Sequence, residues 1–152
     1  MRAFALAGAL ALALASCAHD NARLEALQKL DVPSRDLLSK YRQFLTPLQI
    51  DRYLAKENFE QRDAFIKSLK IEERIAHYPP AVQQAIWNME IIAGMDKPAV
   101  LMTWGSPEQR DIDEAKADQG VEYERWGYDR ASAKFIVVIV NGYVTEVIEQ
   151  KK

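Results

Sequence analysis

Reactive side chains are scarce in this sequence. Cys17 is its only cysteine, and His19 and His77 are its only histidines. One cysteine excludes a disulfide within the chain. Two histidines this far apart give no H-E-x-x-H spacing, and no Ser/His/Asp order accompanies them. An excess of one charge is also missing. Twenty basic residues against 22 acidic ones leave a formal charge of −2, which offers no electrostatic case for nucleic acid. Six glycines and six prolines in 152 residues exclude a low-complexity chain. Gly94, Gly105 and Gly142 read as backbone punctuation rather than a phosphate cradle. The acids of Asp111-Ile112-Asp113-Glu114 lack the glycine and the terminal glutamate of a calcium loop. No metal, no cofactor and no catalytic residue is therefore expected. The 49% hydrophobic content is that of an ordinary single domain with an appendage.

What is present begins at the N-terminus. Arg2 precedes an almost unbroken Ala/Leu run from Ala3 to Ala15. That run is too short to span a bilayer and fits the apolar region of a signal peptide. It ends in Leu14-Ala15-Ser16-Cys17, which resembles the lipobox of bacterial lipoproteins. The resemblance implies that residues 1–16 are removed and that Cys17 is acylated. Two or more acyl chains, each CH₂ contributing roughly 0.8 kcal/mol when buried, anchor a protein stably. The resemblance also implies that Ala18 beside the lipidated cysteine directs the protein to the outer membrane. Residues 17–23 are then a polar tether. The alternative is a plain secretory signal that happens to contain a cysteine.

The strongest local signal lies near the other end. Phe135–Val140 and Tyr143–Ile148 are apolar, β-branched runs separated by Asn141-Gly142. Asn-Gly suits a type I′ turn, which needs φ > 0 at both central residues. A regular hairpin about that turn pairs Val140 with Tyr143, Ile139 with Val144, Val138 with Thr145 and Val137 with Glu146. Neither face of such a hairpin is polar. Since a sheet with one wet face alternates apolar and polar residues, a cover is expected on both sides, from this chain or from a partner.

Between tether and hairpin the pattern is helical to about Gly94. Leu24, Leu27 and Leu30 share a helical face. Ser34 is expected to cap a helix carrying Leu37, Leu38, Tyr41 and Leu45. Thr46-Pro47 caps and starts another. Asn58 caps a long helix whose stripe runs from Phe59 through Phe65, Ile66, Leu69 and Ile71 to Ile75, ending before Pro79-Pro80. Ala81 to Ala93 forms one more. Asp96 then caps a short helix with Val100, Leu101 and Trp104, and Gly105 closes it. Glu108 to Gly120 reads as a polar loop and Val121 to Tyr128 as a strand.

Ile92-Ala93-Gly94-Met95-Asp96, then Val100, Trp104-Gly105-Ser106-Pro107, Glu124-Arg125-Trp126-Gly127-Tyr128 and Ile139-Val140-Asn141-Gly142-Tyr143-Val144 occur in that order. The ordered set resembles the SmpA/OmlA (BamE-like) outer-membrane lipoprotein domain, with Asp96 where that family usually has threonine. The helical region before Ile91 has no counterpart in it. Behind the helical region of residues 24–90, the resemblance implies short helices packed on a three-stranded antiparallel sheet over residues 91–152, an α+β fold. It further implies a non-enzymatic, lipid-anchored, periplasm-facing protein of the outer membrane. Such a protein is a scaffold or accessory subunit in outer-membrane protein assembly, and its partners are envelope or barrel-assembly proteins. A periplasmic inhibitor or ligand-binding module with the same fold is the alternative. Tyr143, Tyr128, Val137, Ile139 and Val144 are the candidate partner surface on the sheet. Trp126 is assigned to the core.

Overall fold

The structure, a computed structural model, describes residues 21–131 and 133–151, so Cys17 and the leader lie outside the described residues. The chain divides into two compact units, one ending at Ile71 and the other running from Glu72. The division falls before the boundary expected at residue 91.

The first unit is helical. Residues 21–28 form α1, followed by α2 (Val32–Tyr41), a 3-10 turn (Arg42–Phe44), α3 (Pro47–Leu54) and α4 (Phe59–Ser68). Asp31, not Ser34, caps α2: its carboxylate accepts from the Ser34 amide. An aspartate outside Val32-Pro33 leaves the proline inside the first turn, where its missing N–H costs nothing. Thr46 and Gln49 form a full capping box on α3, and Asn58 caps α4 as expected. Leu30, Leu38, Tyr41, Leu45, Tyr53 and Ile66 build the core. Tyr53 is fully buried and donates its hydroxyl to the Ser34 carbonyl at 2.6 Å. The buried Arg62 donates to the Ser34 hydroxyl at 3.1 Å and to the Lys56 carbonyl at 2.6 Å. It also lies 3.5 Å from the Asp31 carboxylate. The long helix expected from Asn58 is broken: Lys70 takes φ +51°, and α5 (Ile71–Ala76) starts afresh.

The second unit holds α6 (Pro80–Trp87), α7 (Lys97–Trp104), β1 (Gln109–Ile112), α8 (Glu114–Ala117), β2 (Tyr123–Asp129), β3 (Ala133–Val140) and β4 (Tyr143–Lys151). Helix α6 stops earlier than Ala93, because Met89 adopts φ +59°. This turn lets the Met89 carbonyl accept from Trp104 Nε1 at 2.8 Å, fixing α6 beside α7. The α+β class is as expected, but the sheet has four antiparallel strands in the order β1-β2-β3-β4, not three. The extra strand comes from the segment read as a loop. Gln109-Arg110-Asp111-Ile112 shows no apolar alternation and is exposed throughout. It is an edge strand held by backbone pairing to β2, and edge strands favour charged residues.

The hairpin turns at Asn141 (φ +51°) and Gly142 (φ +86°), as the type I′ turn requires. Val140 pairs with Tyr143 and Ile139 with Val144, but then Val138 pairs with Glu146 and Val137 with Val147. Thr145 is an extra residue, a β-bulge. It corrects the expected register in a way that matters for the faces. Glu146 moves to one face with Val138 and Arg125, while Val147 joins Val137 and Trp126 on the other. The bulge therefore separates a wholly apolar hairpin into a core side and a mixed side.

Candidate functional site

The inner face of the sheet carries Trp126, Tyr128, Val137, Ile139 and Val144, all buried. Helix α7 and its flanks cover it. Trp104 makes edge-on ring contacts with Tyr128 and Phe135, both at 5.2 Å between centroids. The Tyr128 hydroxyl donates to the Gly105 carbonyl at 3.1 Å, and burial pushes its phenol well above the usual range. Gly94 to Lys97 closes the hairpin end: the Gly94 amide donates to the Val144 carbonyl and the Val144 amide to that of Met95, both at 2.8 Å. Four of the five residues assigned to a partner surface, Tyr128, Val137, Ile139 and Val144, are thus core residues. Their strand positions place them under the helix. Trp126 is core, as expected.

Within this apolar face sits one charge that the sequence reading did not single out. Glu124 is 1% exposed. Its Oε2 accepts from Arg110 Nε at 2.7 Å and from Trp126 Nε1 at 2.6 Å. Its Oε1 accepts from Arg110 Nη2 at 2.8 Å and from Lys97 Nζ at 2.6 Å. Lys97 also reaches the Glu122 carboxylate. The Arg110 fork is the main reason that the Glu124 carboxyl is pulled down to about 2. Burial opposes this, and Lys97 and Trp126 add to it. Arg110 is raised mainly by the same bond. For Lys97, burial works against the charge, yet Glu122 and Glu124 outweigh it and raise the ammonium. A carboxylate offers about four acceptor positions, and here four donors fill them. Glu124 has no capacity left for a substrate proton or a metal. It is a knot joining the start of α7, the edge strand β1 and β2. A sequence signal for it existed: Glu124 shares strand parity with Trp126 and Tyr128. Its partners were hidden, because Arg110 lies in a stretch read as loop.

The opposite face is built differently. Three cross-strand rows run over it: Tyr123, Val140 and Tyr143; Arg125, Val138 and Glu146; Gly127, Ile136 and Ile148. Tyr143, the fifth predicted surface residue, is 58% exposed. Two hollows flank the rows. One of about 300 Å³ is lined by Asp111, Asp113, Lys116, Tyr123 and Arg125, and Lys116 Nζ stands 3.4 Å from the Tyr123 ring centre. The other, about 360 Å³, lies where Gly127 has no side chain, next to Gln109, Lys134 and Ile136. A Cβ at Gly127 would stand 3.3 Å from that of Gln109. The rows thus carry aromatic rings, aliphatic side chains and both charges.

Comparison with family models, with characterised proteins and with solved structures gives no match. Among the described residues no group of three His, Cys, Asp or Glu side chains is placed to hold a metal ion. No helix among them is long and apolar enough to cross a membrane.

Proposed function

We propose that this chain is a lipid-anchored outer-membrane lipoprotein that acts as a non-enzymatic scaffold or accessory subunit in outer-membrane protein assembly. The observation that supports the reading best is the mixed face of the sheet. Its rows centred on Val140, Val138 and Ile136 present Tyr143, Tyr123 and Ile148 with Arg125 and Glu146 between them. Such a face is suited to docking a protein surface, with the aromatic side chains as anchors. The buried acid on the other face, Glu124, is saturated by its own neighbours and so serves the fold. Cys17, behind its lipobox, would hold the unit at the membrane, and the partner would be an envelope or barrel-assembly protein.

The test is mild cross-linking in cells, solubilisation in detergent, affinity purification and mass spectrometry, with Tyr143→Ser in parallel. Recovery of outer-membrane assembly subunits, reduced by Tyr143→Ser, is the expected result. Recovery of a single soluble periplasmic protein would replace the scaffold with an inhibitor or binding module.

A further inference from the structure

The outer face of the sheet is laid out symmetrically about one strand, β3. In its second row Arg125 on β2 and Glu146 on β4 flank Val138. In its third row Gly127 on β2 and Ile148 on β4 flank Ile136. Opposite features thus stand at equal distances from β3: a cation against an anion, and a missing side chain against a branched one. Arg125 and Glu146 are exposed, and neither forms an ion pair among the described residues. They lie two strands apart, about 10 Å, too far to pair with each other. Gly127 is not in left-handed backbone, so its glycine makes no turn. It leaves the hollow of about 360 Å³ beside Ile136 and Lys134 open to the outside.

We infer that this face pairs with the same face of a second copy of the chain, about a two-fold axis running along β3 between the two sheets. Rotation about that axis lays β2 of one copy over β4 of the other, row on row. Arg125 then meets Glu146 of the second copy, and Glu146 meets its Arg125. Ile148 of each copy enters the hollow beside Gly127 of the other. A two-fold interface must be complementary to itself, each contact occurring twice, and these two rows meet that condition. Packed sheets lie about 10 Å apart, a gap that an arginine and a glutamate span together. Twist makes such sheets cross at about 30° and swings the strand ends apart. The contact therefore centres on the second and third rows, and Lys134, in the fourth, is carried away from its counterpart. In the first row Lys116 already stands over the Tyr123 ring. Three strands by two rows is a small area beside that of a permanent dimer, so the pairing is reversible. The inference goes beyond the function proposed above. It places a second copy on the face offered there to an assembly protein, so the two occupants exclude each other, and it needs neither the acyl anchor nor the assembly partner.

The experiment is sedimentation equilibrium of the full chain in density-matched detergent, with tryptophan emission confirming that each variant is folded. Arg125→Glu and Glu146→Arg are made singly and together. The wild type should show a monomer–dimer equilibrium. Each single variant sets like charges against each other twice and should weaken the dimer at least about tenfold. Mixing the two single variants brings unlike charges together again and should restore dimers, as should the double variant, in which the charges are exchanged. A wild type that stays monomeric up to about 0.3 mM overturns the inference. So does a dimer that neither single variant weakens, or one that is lost in both and returns in neither the mixture nor the double variant. Purification from cells reads the other occupant separately. Assembly subunits recovered with a monomeric wild type overturn the inference and leave the proposed function standing; a dimer with no assembly subunits recovered does the reverse.

Discussion

The charge knot at Glu124 gives the sharpest quantitative prediction. The perturbation is Glu124→Gln, which keeps shape and removes charge. The folded carboxyl sits at about 2 against an ordinary value of 4.5, chiefly because of the Arg110 fork. A depressed carboxylate stabilises the fold above its unfolded value and loses that contribution as pH falls through the folded one. That lowering corresponds to about 3 kcal/mol, present at pH 7 and lost between about pH 5 and 2. The side chain is shielded from solvent, so surface screening does not shrink this figure much. The glutamine amide also turns one acceptor into a donor facing Arg110, Lys97 or Trp126. Urea unfolding followed by tryptophan emission is the assay. Trp87, Trp104 and Trp126 are the only tryptophans and all lie in the unit from Glu72, so the signal reports that unit. At pH 7 the variant should be less stable by about 3 kcal/mol, and the gap should close as pH approaches 2. A gap below about 1 kcal/mol at pH 7, or one independent of pH, would refute the idea that the ionised carboxylate ties α7 and β1 to the sheet.

Tyr53→Phe removes the hydroxyl that bonds the Ser34 carbonyl; a loss of about 1–2 kcal/mol should show in urea melts of the helical unit by circular dichroism. Deleting Thr145 removes the bulge residue yet leaves Glu146 opposite Val138 and Val147 opposite Val137; it should fold, at a cost below about 1.5 kcal/mol, and a collapsed tryptophan spectrum would mean that the bulge does more than set the register. Val137→Asp buries an unpaired carboxylate in the core and should cost about 3–5 kcal/mol. Tyr143→Ser, on the exposed row, should change stability by less than about 0.5 kcal/mol, as thermal melts will show, while lowering partner recovery.

Local chemistry made much of this fold legible. The Asn141-Gly142 turn, the capping residues Thr46, Asn58 and Asp96, and the stop at Gly105 all depend on a few adjacent residues, and all are found where the sequence puts them. The failures also have physical causes. Serine and aspartate both accept from a free amide, so Ser34 and Asp31 compete as caps in the sequence, and the geometry at Val32-Pro33 favours Asp31. Met89 and Lys70 broke helices through left-handed backbone that no residue type advertised. Strand β1 was invisible because an exposed edge is held by backbone bonds, which leave no hydrophobic trace.

By itself the sequence determined the capped starts of three helices and the Asn141-Gly142 hairpin with its apolar strands. Tertiary structure alone decided the faces. One inserted residue, Thr145, moved Glu146 to the outer face and Val147 to the inner one, because side chains alternate with period two and a slip of one exchanges the sides. Packing of α7 and its flanks on the sheet put four candidate surface residues, Tyr128, Val137, Ile139 and Val144, in the core and left Tyr143 outside. Tertiary structure also decided that Glu124 is a structural knot. A carboxylate's role depends on how many donors reach it, and Arg110, Lys97 and Trp126 meet there only after α7 and β1 have docked on β2.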